Sequence, residues 1–124
     1  MKSEHEIQNE IRLAIGKEMP EVRLFRANVG GGWTGKIARR TADELLLVNY
    51  RRFLTGLPNG FPDLFGFREI DGKAVFVFIE VKRPGGRIRP EQERMCRFLR
   101  ERGAIGGIAH SAEEALALLR REPS

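Results

Sequence analysis

Apolar residues recur along this chain with two periods, and the switches between them mark its elements. Residues 3–18 place Ile7, Ile11, Ala14 and Ile15 on one helical face, with Ser3 as N-cap, Glu6 three residues later and Pro20 closing the segment. Glu4 and Gln8 stand one turn apart at the edge of that face, while Glu10 points elsewhere. VRLFRANV (22–29) alternates as a strand does. In DLFGFREIDGKAVFVFIEVK (63–82) two alternating runs flank Asp71-Gly72, a dipeptide suited to a tight hairpin. Along the second run Val75, Val77, Ile79 and Val81 face one way, and Phe76, Phe78, Glu80 and Lys82 the other. Residues 89–103 read as a helix with Pro90 in its first turn and Gly103 closing it. AIGGIAH (104–110) reads as a buried strand, and SAEEALALLRRE (111–122) as a helix opened by a Ser111–Glu114 capping box. Helix, several strands with a hairpin, then helix, strand and helix make one α/β domain over 1–124 with a mixed sheet.

Two stretches are less regular. Residues 41–57 carry LLLV with Tyr50 and Phe53, and short apolar runs of this kind suit helix or strand. Extended structure is favoured over 38–57. NVGGGWTGKI (28–37) spaces Gly30, Gly35 and Lys36 as a phosphate-binding G-x-x-x-x-G-K loop does. However, Ile37 stands where that motif needs Ser or Thr, and IARRTADE lacks the pattern of the helix that should follow. Nucleotide binding through residues 30–36 is therefore a disfavoured alternative. The preferred reading is a flexible glycine loop near an active site, meeting another phosphate beside Trp33, Lys36, Arg39 and Arg40.

With 41% apolar residues the chain can bury a core, and no apolar run approaches the ~18 residues of a membrane span. The charged amino terminus is no signal peptide. The single Cys96 falls in an amphipathic pattern and reads as a small core residue of a cytoplasmic protein. Net charge is +5, and 17 of the 22 basic residues are arginine, which suits a polyanionic partner. His5 and His110 are isolated, so neither a zinc cluster nor a serine–histidine pair is in view.

Residues i and i+2 of a strand share a face, so Glu80 and Lys82 project together and extend the Phe76–Phe78 row. Asp63 opens the partner run just after the GFP turn. Asp63 and Glu80 could then form a hard-oxygen pocket for magnesium or manganese, with Lys82 beside it. Singly, each has a plainer role, as a turn residue or a cross-strand surface pair. Together, Pro62-Asp63…Glu80-Val81-Lys82 matches the metal-nuclease pattern P-D…(D/E)-x-K. Gln92 shares a helical stripe with Met95, Cys96 and Leu99, which points it inward.

The flanks of that pattern are more specific. SEHEIQNEI, GFPDLFGF, IEVKRPGGRIRPEQ and GAIGGIAHSAEEALALL, in this order, resemble the virus-type replication–repair nuclease (VRR-NUC) family of stand-alone phage or bacterial type. This family is a branch of the PD-(D/E)XK nucleases. The resemblance is weakest over 38–57. It implies a restriction-endonuclease-like domain of order α-βββ-α-β-α and a Mg²⁺- or Mn²⁺-dependent endonuclease that leaves 5′-phosphates on DNA. By position it implies metal at Asp63 and Glu80 with Glu4 of the first helix (Glu6 lies close by). It gives Lys82 the role of positioning or activating water, and places Gln8 and Gln92 near the site. Arg26, Asn28, Trp33, Lys36, Arg39, Arg40, Arg83, Arg87 and Arg89, together with Gln8, are the candidate DNA contacts. Stand-alone members look like homodimers resembling Holliday-junction resolvases, so branched DNA in repair is the implied substrate, with no membrane and no nucleotide cofactor. The rival is a silent DNA-binding module of the same fold, and the presence of Asp63, Glu80 and Lys82 argues against it.

Overall fold

The computed structural model describes residues 1–123. Its elements in chain order are α1 (Glu4–Glu18), β1 (Val22–Arg26), β2 (Gly31–Arg40), β3 (Leu45–Leu54), β4 (Leu64–Ile70), β5 (Lys73–Val81), α2 (Pro90–Glu101), β6 (Ile105–Ala109) and α3 (Ala112–Leu119). They divide into two compact units: residues 28–59 form one, and the rest of the chain the other. Among the described residues no helix is long and apolar enough to cross a membrane.

The larger unit is a four-stranded mixed sheet in the order β1-β4-β5-β6. β1, β4 and β5 pair antiparallel, and β6 runs parallel to β5 after the crossover through α2. Without β2 and β3, its order is α-βββ-α-β-α. Ser3 caps α1 in a complete box, accepting from the Glu6 N–H while the Glu6 carboxylate accepts from Ser3. Ile7, Ile11 and Ile15 of α1 pack with Val77, Ile79 and Val81 of β5 and with Ala115 and Leu119 of α3. Phe78 and Glu80 point to the other face of β5, where α2 lies, so both faces of that strand are buried from Val77 to Val81. Asp71 and Gly72, at φ 51° and 78°, close the β4–β5 hairpin as the left-handed pair of a tight turn. Only half of the capping box expected at α3 forms. Ser111 accepts from the Glu114 N–H, but the Glu114 carboxylate pairs with His110 at 2.9 Å, so His110 is not isolated.

The smaller unit corrects the expected glycine loop. Residues 31–40 are a strand, paired antiparallel with β3 through two register shifts, and residues 45–54 are extended too. The reason is steric. A Cβ on Gly31 would stand 2.5 Å from the Phe53 carbonyl oxygen, and one on Gly35 3.0 Å from Tyr50 Cα. At Gly32 it would meet the Phe53 ring at 2.8 Å. These glycines admit a partner strand. A nucleotide loop must pass from strand to helix, whereas this one runs strand, turn, strand, and the nucleotide-binding alternative falls with it.

Candidate active site

Asp63 is held from three sides. Gly60, at φ +88°, lets the chain turn against α2, where an added Cβ would stand 2.5 Å from the Glu91 carbonyl. Pro62 is buried. The Asp63 carbonyl accepts from the Ala27 N–H at 2.8 Å, and its side-chain Oδ2 accepts from the Val81 N–H at 2.8 Å. The β4–β5 register, with Leu64 opposite Ile79, brings Asp63 alongside the end of β5 that carries Glu80.

Glu80 is 2% exposed. Its Oε1 accepts a 2.9 Å hydrogen bond from Gln92 Nε2, and Gln92 Oε1 in turn accepts from the Arg89 N–H at the start of α2. One glutamine thus ties the helix N-terminus to the carboxylate. Glu80 Oε2 is buried with no hydrogen-bond partner among the described residues. Burial pushes the Glu80 carboxyl up to about 8, helped by the neighbouring Asp63 carboxylate. Lys82 pulls the other way, and Glu4 adds a small upward push. Lys82 is itself buried where the chain leaves β5, its N–H bonded to the Ala109 carbonyl. Beneath the site Cys96 is buried and its thiol is pushed up to about 11, first by burial and then by the charge of Glu80.

The structure separates Glu4 from Glu6. Glu6 is occupied at the helix cap, whereas the Glu4 carboxylate comes within 3.4 Å of the position a Cβ would take on Gly86 and adds to the field at Glu80. Gln8 is half-buried one turn along α1, and Arg26, Arg83, Arg87 and Arg89 are exposed in the same unit. Asn28, Trp33, Lys36, Arg39 and Arg40 belong to the smaller unit, all exposed. Sequence reasoning passed over Tyr50, Arg51 and Arg52. The string NYRRFL held the signal, but only the strand register sets Arg52 opposite Trp33.

Two carboxylates lie side by side, one with a raised proton affinity and a buried oxygen that has no hydrogen-bond partner among the described residues. Among the described residues no group of three or more His, Cys, Asp or Glu gathers into a ready-made metal cage. That donor set suits a magnesium-like cation, which keeps water and takes phosphate oxygens beside one or two carboxylates. It does not suit zinc. The residues therefore fit a hard divalent ion.

A sequence model of the family described as VRR-NUC domain matches residues 34–113, more than half of the chain. The match takes in Asp63, Glu80, Lys82 and Gln92 and begins after α1. No curated protein and no solved structure matches the chain.

Proposed function

The chain belongs to the VRR-NUC family of PD-(D/E)XK-like nucleases, and on that premise we propose that it is a Mg²⁺- or Mn²⁺-dependent endonuclease for branched DNA, working as a homodimer. The observation that carries this reading is Glu80, a buried carboxylate beside Asp63 whose second oxygen has no hydrogen-bond partner among the described residues. A group of that kind costs stability unless a cation completes it. Asp63 and Glu80 would hold the ion, with Glu4 at its edge. When bound, such an ion supplies Lewis acidity at the scissile phosphate and a water that ionises near neutral pH.

The chain's own residues do the rest. The Val81 N–H and the Ala27 N–H fix Asp63, and Gln92 fixes the Glu80 carboxylate plane. Lys82, one residue past the end of β5, would direct its ammonium to the anionic phosphate and to the water that attacks it. In-line displacement at phosphorus leaves a 5′-phosphate. A twofold dimer would present two such sites to the twofold arrangement of a four-way junction.

A substrate panel tests the reading. Four-way junction, flap, nicked duplex, linear duplex and single strand are incubated with Mg²⁺ or Mn²⁺ and with EDTA. The junction is cut fastest, with paired nicks across its centre, and nothing is cut in EDTA. Asp63→Ala, Glu80→Ala and Lys82→Ala each lose at least ~100-fold in rate while remaining folded. Folded variants that all cut at the wild-type rate would refute the assignment.

A further inference from the structure

The hairpin of residues 28–59 contains no member of the carboxylate site, and its own surface calls for a partner. In β2 and β3 every residue except Gly32 and Leu47 is exposed. Two strands alone are marginal in water, so such a hairpin gains from whatever covers it. Trp33 and Tyr50, 58% and 63% exposed, meet edge to face at 5.5 Å. The Arg52 guanidinium stands 6.0 Å from the Trp33 ring. Trp33, Leu45, Leu47 and Tyr50 line a groove of about 580 Å³. Phe53 covers Gly32 on the opposite face, since neighbouring residues of a strand alternate.

Charge narrows the choice of partner. Lys36, Arg39, Arg40, Arg51 and Arg52 run through the two strands, while Asp43 and Glu44 stand at the connecting turn. Glu44 comes within 3.9 Å of Arg39 there, which leaves the length of the arm basic. An apolar protein surface has no use for that many cations, and the stacked bases of a duplex offer no open face to an indole. An unpaired nucleotide offers both a flat base for the rings and phosphates for the guanidinium groups.

We propose that the β2–β3 hairpin is a docking arm for unpaired nucleotides, with a base stacked in the Trp33–Tyr50 groove and its phosphate held by Arg52, the guanidinium that stands on the groove side beside Trp33. The inference rests on the nuclease reading in taking DNA as the partner, and it adds unpaired nucleotides beside a branch to what the domain binds.

Trp33 is the only tryptophan, so indole emission reports on the arm directly. The full chain is titrated in EDTA with a short oligothymidylate and with a blunt duplex of equal phosphate count. The oligothymidylate quenches Trp33 emission at least twofold more than the duplex does. With a labelled oligothymidylate, Tyr50→Ala weakens binding by about tenfold, and Tyr50→Phe, which keeps the ring, stays within about twofold of wild type. Equal quenching by both DNAs, or none by either, overturns the proposal. So does a shift in Trp33 emission with protein concentration before any DNA is added, which would assign the groove to a second copy of the chain. The same preparation is then assayed for cleavage with Mn²⁺. Cleavage without selective quenching removes the arm and spares the nuclease, whereas quenching without cleavage does the reverse.

Discussion

Glu80 shows how one side chain can be costly to the fold and useful to the site. Its carboxyl, pushed from 4.5 to about 8, binds a proton in the folded chain that the unfolded chain has already lost. Below about pH 4.5 both states are protonated and the cost is absent. Between 4.5 and 8 metal-free stability falls as pH rises, and above 8 the whole penalty is present. A tenfold difference in proton affinity between the two states is worth on the order of 1.4 kcal/mol. Glu80→Gln removes the titration and supplies a permanent N–H donor in place of the proton. In EDTA it should match wild type at pH 4 and exceed it by a few kcal/mol at pH 9, read by urea unfolding. Parallel curves for the two proteins across that range would contradict the account. At this scale the sequence was partly legible. Strand parity paired Glu80 with Lys82, whereas the choice between Glu4 and Glu6 stayed open until the cap bonds of Glu6 were seen. The Gln92–Glu80 bond was not legible, because it joins a helix start to a strand end and depends on how they pack.

Among the elements, the β4–β5 hairpin was the easiest to read: its alternation is regular and Asp71-Gly72 names its turn. Its register then carries Asp63 to Glu80. The β2–β3 hairpin hid itself for a physical reason. Its register slips between Thr34 and Lys36 and again between Ile37 and Arg39, and each slip breaks the period-two pattern. Its apolar residues also lie on solvent-exposed strands, so neither a core stripe nor a polar face announces them. The glycines misled in a similar way, since a residue chosen to admit a partner strand resembles one chosen to admit a phosphate. Gly60 makes the steric point testable. With φ at +88° and the α2 backbone in the path of a side chain, Gly60→Ala should cost about 2–4 kcal/mol of stability and disturb the helix start that bears Gln92. Equilibrium unfolding measures this, and an alanine variant as stable as wild type would show that the turn is not the clamp described.

For the molecule as a whole, composition and order revealed the class. An arginine-rich chain of net charge +5, with helices on both faces of a mixed sheet, fits a domain that meets a polyanion. What they could not reveal was the division into two units, because the hairpin is continuous in sequence with the strands around it. The nuclease reading ties proton, metal and fold into one equilibrium, since an ion that binds only the folded chain must displace the proton on Glu80. A calorimetric titration of the metal-free protein with Mn²⁺ at pH 7, in two buffers of different ionisation enthalpy, measures that exchange directly. Wild type should bind Mn²⁺ and release close to one proton per site, and folded Glu80→Gln should bind none. Equal Mn²⁺ binding by the two proteins, or no binding by a folded wild type, would contradict the claim that Asp63 and Glu80 form the metal centre of a nuclease.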